Sequence, residues 1–64
     1  HMTDRQLQVL RLIVQGKPNK IIARELQLSE GTVKIHLASI YRALDAGNRT
    51  EAAMAARDLG LLPE

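Results

Sequence analysis

Apolar residues recur at helical spacing in four blocks along this chain, separated by short runs of turn-forming residues. The block from Glu30 to Leu44 organises the rest. Its Val33, Leu37, Ile40 and Leu44 fall at i, i+4, i+7 and i+11. At about 100° per residue they make one narrow apolar stripe. The opposite side carries Gly31, Lys34, Ile35, Ala38 and Arg42. That side is small and cationic, with one isolated branched apolar residue. A solvated helix face is ordinarily filled with Glu, Lys and Gln. This one is cleared for close approach to something large and anionic, and a helix of this kind fits the major groove of duplex DNA.

The other blocks follow the same logic. Thr3, Asp4, Arg5 and Gln6 fit a capping box that starts a helix over about Asp4 to Gln15. Leu7, Leu10 and Val14 form its stripe, widened by Val9 and Ile13. Gly16 suits a left-handed residue after the helix, and Lys17-Pro18 forces an extended link. A second helix runs over about Asn19 to Leu26. Its Ile22, Ala23 and Leu26 face inward, while Lys20 and Arg24 share an outer face. Gln27-Leu28 makes a turn, with Leu28 plugging the core. Ser29 caps the third helix, and Glu30 suits its first turn. Asp45-Ala46-Gly47 ends that helix. Asn48, Arg49, Thr50 and Glu51 make a second box-like start for a fourth helix over about Arg49 to Asp58. Leu61 and Leu62 fold back on the core, and order ends at Pro63. No strand pattern or repeat is visible. The prediction is an all-α four-helix bundle containing a helix–turn–helix.

Length and composition narrow the function. Sixty-four residues make one domain, and a chain this small buries only roughly 60% of its unfolded surface. No deep catalytic cleft fits. His1-Met2 reads as a vector scar, leaving 3–62 as the domain and implying a fragment of a longer protein. The chain has no cysteine, which removes disulfides, thiolate metal sites and a thiol nucleophile and agrees with a cytoplasmic setting. No apolar run approaches the roughly 20 residues of a membrane span, so no membrane partner is expected. The net charge is +2, yet Lys17 to Arg42 holds five cations against two acids. That suits a polyanion, although charge runs are usually solvated surface. Tyr41 is the one aromatic residue. Readers of single strands stack bases on aromatic rings, so this chain lacks their platform, and a duplex reader needs none.

Candidate contacts follow from the third helix. Lys34 reaches a guanine edge or a phosphate. Ile35 suits a thymine methyl; its plainer reading is an ordinary exposed apolar residue. Gly31 and Ala38 let the backbone sit close, against the alternative of simple loop permissiveness and helix propensity. Asn19, Lys20, Thr32, His36, Tyr41 and Arg42 are candidates for phosphate contacts. His36 equally fits a flank histidine bonded within the domain. The other histidine is His1, so a metal role lacks ligands, and no cofactor is implied. No nucleophile–base–acid order, paired carboxylates or Gly-rich phosphate loop points to an enzyme. The alanines of the fourth helix admit close approach of another helix, and so a homodimer contact. Their plainer reading is filling at the crowded back of a small core.

The string Pro18-Asn19-Lys20-x-Ile22-Ala23-Arg24-x-Leu26-x-Leu28-Ser29-x-x-Thr32-Val33-Lys34-x-His36 closely resembles the LuxR/NarL-type helix–turn–helix. So do Thr3, Arg5, Val9, Leu10 and Gly16 before it, and Asn48, Arg49, Thr50 and Ala52 after it. The match runs from Thr3 to Leu62 without gaps. The resemblance implies the DNA-binding domain of a bacterial transcription regulator, dimerising through its last helix, with Ala52, Ala53, Ala56 and Arg49 at that interface. It places Lys34, Ile35 and Ala38 at base contacts, and Thr32, Val33, His36 and Lys20 at the backbone. The upstream part it implies is a phosphorylatable receiver, with an autoinducer-binding domain as the other possibility. Two positions depart from the family pattern. Gln6 stands where glutamate is usual, which weakens any ion pair to Arg49. Ala38 stands where some members have a long polar side chain, which shifts readout toward methyl contacts and DNA shape.

A different class of function is a helical protein-interaction module, docking on a partner helix or on RNA polymerase. It predicts salt-insensitive binding and an apolar exposed groove, whereas the free side of the third helix is cationic. A sigma-type promoter-reading domain shares the helix pair but fits the stretch after Gly47 less well.

Overall fold

Three of the four helices start where the sequence supplies a side-chain cap. The computed structural model describes residues 2–62, which form α1 (Asp4–Val14), α2 (Asn19–Leu26), α3 (Glu30–Leu44) and α4 (Arg49–Asp58). His1 and Pro63, read above as scar and end of order, lie outside those residues. At α1 the Thr3 hydroxyl accepts from Gln6 N–H at 3.1 Å, and Gln6 Oε1 accepts from Thr3 N–H at 2.9 Å. The capping box is therefore complete. Ser29 Oγ accepts from Thr32 N–H at 3.0 Å to open α3. Asn48 Oδ1 accepts from Glu51 N–H at 2.9 Å to open α4. Here the return arm differs from the expected box. Asn48 is fully extended, and the Glu51 carboxylate accepts from Gly47 N–H at 2.6 Å, one residue further back. Helix α2 begins at Pro18, which has no side chain able to cap.

All four helices end in the same way. The residue after the last turn donates to a carbonyl three positions back, and the next residue donates five positions back. Examples are Gly16 to Ile13 at 2.8 Å and Lys17 to Leu12 at 3.1 Å. This Schellman arrangement needs a left-handed residue. Gly16 (φ 82°) and Gly60 (φ 64°) supply it after α1 and α4, while Gln27 (φ 57°) and Asp45 (φ 52°) supply it after α2 and α3. Gly47, expected to help break α3, is not the left-handed residue. Asp45 turns the chain two positions earlier.

The core consists of Val9, Leu10 and Ile13 from α1, Ile22 and Ala23 from α2, Val33, Leu37 and Ile40 from α3, and Ala52 and Ala56 from α4. No polar residue is buried among the described residues, so apolar burial, at roughly 25 cal/mol per Å², dominates what holds the helices together. Helix α3 packs on each of the other three, and α1 also packs on α4. Helix α2 leans chiefly on α3. The α3 stripe is as expected, with Leu44 partly buried at its end. On α1 the buried side is centred on Val9, Leu10 and Ile13. Leu7 is only partly buried and Val14 is 40% exposed. Leu28, Leu61 and Leu62 pack against the core as expected. Met2, set aside above as scar, also packs there.

Two expectations about α4 are corrected. Ala52 is fully buried and Ala56 is 1% exposed. They lie at i and i+4 on the inward side, where small side chains let α4 approach α1 and α3. Neither can form a dimer surface in this fold. Ala53 is only partly buried.

Candidate nucleic-acid interface

The outward side of α3 is built by subtraction. Val33, Leu37 and Ile40 point into the core, so a helix of 15 residues must present Gly31, Lys34, Ile35, Ala38 and Arg42 elsewhere. All five are exposed. Gly31, Ile35, Ala38 and Arg42 follow one another at i, i+4, i+7 and i+11, with Lys34 beside them. Ile35 is 67% exposed. A branched apolar side chain in that position does nothing for the core. Gly31 is not demanded by the fold either. A Cβ there would meet only Ser29 Oγ, at 3.8 Å, an ordinary contact. Its open space faces outward, next to Lys34 and Ile35. Arg42 reaches back along the helix to donate to Ser39 Oγ at 3.4 Å.

The flanking candidates are placed unevenly. Thr32 and His36 are partly buried, and the Thr32 hydroxyl pairs with Ser29 Oγ at 3.0 Å. The Tyr41 ring packs against the core and leaves only part of its surface free. Val33 is corrected outright. It is 0% exposed, so its side chain is a core group and cannot reach a phosphate.

Asn19 and Lys20 open α2 at a shallow, open concavity lined by Gly16, Pro18, Asn19, Lys20, Glu30 and Arg49. Lys20 is exposed there, with Glu30 the one acid at the rim. Lys17 is spent locally, on a 3.0 Å ion pair with Glu25. A partly exposed pair of this kind contributes at most about 1 kcal/mol.

Arg49, expected at a dimer surface, is committed inside the chain. Its Nη1 donates to the Lys17 carbonyl at 2.8 Å, and its Nη2 donates to Asn19 Oδ1. Nor does Gln6 bear on it, since the Gln6 amide oxygen is taken by Thr3. This tie joins α4 to the start of α2 across about thirty residues of sequence. No local pattern could have revealed it. Elsewhere on α4, Thr50, Met54 and Arg57 are exposed and with Ala53 line a shallow groove beside Ile13 and Gly16.

Among the described residues no group of three or more His, Cys, Asp or Glu is arranged to hold a metal ion. No helix there is long and apolar enough to cross a membrane. Among the described residues the exposed large apolar ones are Val14, Ile35, Met54 and Leu59. They lie on three helices and the stretch after α4; Leu59 joins Met2, Leu7, Ala43, Leu44 and Leu61 around an apolar hollow at the C-terminal end of α3, while near the start of that helix Ile35 is the one large exposed apolar residue beside Gly31 and Lys34.

The sequence has known relatives. The chain is 49% identical over 53 residues to the HTH-type transcriptional regulator YhjB of Escherichia coli K12, covering 83% of this chain and 26% of that protein. It is 43% identical over 53 residues to the nitrate/nitrite response regulator protein NarL of the same strain, covering 83% and 24%. It is 46% identical over 53 residues to the transcriptional regulatory protein LiaR of Bacillus subtilis 168, covering 83% and 25%. The chain thus spans about a quarter of the length of these relatives. A profile described as bacterial regulatory proteins, luxR family, matches residues 1–56. The chain belongs to the LuxR family of bacterial regulatory proteins, and its four helices are that family's helix–turn–helix domain, a DNA-binding module of transcription regulation.

Proposed function

We propose that this domain reads specific duplex DNA with α3 in the major groove. The observation that carries the reading is the exposed stripe of Gly31, Lys34, Ile35, Ala38 and Arg42, which the core leaves free and which contains no acid. Lys34 donates to a guanine edge, Ile35 meets a thymine methyl, and Gly31 and Ala38 set the depth of entry. Lys20, Asn19, Thr32, His36 and Arg42, with the free part of Tyr41, hold the phosphates on either side and fix the register. With no long polar side chain at Ala38, much of the preference comes from methyl contact and DNA shape.

Two copies act together, through the outward side of α4. Thr50, Ala53, Met54 and Arg57 lie at i, i+3, i+4 and i+7, and Met54 is 56% exposed. That side takes the place of the buried Ala52 and Ala56. The full-length protein is a transcription regulator of the response-regulator type, in which this domain is the DNA-binding output. NarL, a relative named as a response regulator, supports that assignment.

Chemical footprinting on a duplex recovered by selection from random sequence tests the groove assignment. Protection of guanine N7 from methylation is expected, since that atom faces the major groove. Protection confined to adenine N3, in the minor groove, would overturn it.

A further inference from the structure

We infer that Arg49 is a positioning residue that fixes the polarity of the Asn19 amide, so that Asn19 offers hydrogen-bond donors, not its oxygen, to a DNA phosphate. The inference rests on the proposed duplex binding and deepens it. A guanidinium has donors and no acceptor. Because Arg49 Nη2 donates to Asn19 Oδ1, the carboxamide oxygen is turned toward α4. The Nδ2 group is turned the other way, and among the described residues it donates in none of the side-chain hydrogen bonds. A phosphate oxygen accepts and never donates, so only this orientation of Asn19 can meet it. The flipped amide would set oxygen against oxygen.

Arg49 is suited to the task because it is held at two points. Nη1 is anchored on the Lys17 carbonyl at 2.8 Å, which keeps the guanidinium plane fixed while Nη2 engages Asn19. A lysine in its place keeps the charge, but its single ammonium cannot reproduce the planar fork. Arg49 also lines both the concavity at the start of α2 and the groove along α4. The orientation of Asn19 is therefore tied to the helix proposed to pair with a second copy, although the two residues stand 30 apart in sequence.

A double-substitution cycle tests this. Affinity for a fixed duplex is measured by fluorescence anisotropy for the unaltered domain, Arg49→Lys, Asn19→Ala and the double variant, with circular dichroism confirming the helical fold of each. Arg49→Lys retains the cation, so a purely electrostatic role predicts little change in either background. The positioning role predicts about a fivefold loss when Asn19 is present and under twofold when Asn19→Ala is already in place, with site preference unchanged. Equal losses on both backgrounds would mean that Arg49 acts on folding or elsewhere, and would overturn the proposal. So would no loss on either. A nitrogen-15 spectrum of the folded Arg49→Lys variant gives a second readout. The Asn19 side-chain amide should shift on adding duplex in the unaltered domain and shift little in the variant; equal shifts would refute the role of Arg49. If the unaltered domain fails to bind any duplex, the DNA reading itself falls. Binding with an additive cycle removes Arg49 alone.

Discussion

Val33 and Ile35 sit two residues apart on α3, one with no exposed surface and the other 67% exposed. A rotation of about 200° separates them on a helix, so one serves the core and the other faces away from it. Substitution should separate the two roles. Val33→Ala should cost about 2 kcal/mol of stability through lost burial and a residual cavity. Ile35→Ala should leave stability within about 0.5 kcal/mol and relax preference at one base pair. Thermal melting and site selection on both variants check this. A large stability loss for Ile35→Ala would place that residue in the core.

Lys34 should carry base discrimination. Lys34→Ala is expected to weaken binding to a selected site by about 1–3 kcal/mol and to spare binding to unrelated duplexes much more. Equal losses on all sequences, with a shallower salt dependence, would assign Lys34 to a phosphate instead. Titrations against a selected and a scrambled duplex distinguish these outcomes.

Gly31 offers a trade between stability and binding. Nothing in the fold needs a glycine there, and glycine in a helix costs roughly 0.5–1 kcal/mol relative to alanine. Being in the first turn, Gly31→Ala should gain about 0.5 kcal/mol, at the low end of that range. The added methyl points where DNA would approach, so duplex affinity should fall as the melting temperature rises. A variant both more stable and equally tight would show that close approach at this position is not required.

The helix ends yield a prediction about stability alone. Gln27 and Asp45 hold the left-handed conformation without being glycine, which costs an L-residue roughly 1–2 kcal/mol. Glycine would remove that cost, although its greater freedom in the unfolded chain offsets part of the gain. Gln27→Gly and Asp45→Gly should each add roughly 0.5–1 kcal/mol in denaturant unfolding. A loss in both would mean that their side chains make compensating contacts.

The parts of this molecule that were legible from sequence are those set by local chemistry. Helix boundaries followed from Thr3, Ser29 and Asn48 as caps and from Gly16 as a stop, because each acts on residues three or four positions away. The α3 stripe was legible for the same reason. What depends on neighbours in space was not. Alanine carries no signal of which way it faces, so Ala52 and Ala56 could be assigned to a surface or to the core, and packing against α1 and α3 decided for the core. Val33 served two readings at once, as a stripe residue and as a family contact position, and burial decided between them. Glycine marks a left-handed residue plainly, whereas glutamine and aspartate do not, so Gln27 and Asp45 went unmarked. Arg49 finds its partners about thirty residues away, where no periodicity reaches.

On the proposed reading, the free side of α3 meets duplex DNA. The most direct test of that contact is the affinity of the purified domain for duplexes at two salt concentrations. Binding is expected whose logarithmic affinity falls linearly with the logarithm of salt, with a residual preference for a selected sequence that Ile35 and Lys34 substitutions erode. Absence of salt-dependent binding to double-stranded DNA of any sequence would contradict the proposed reading.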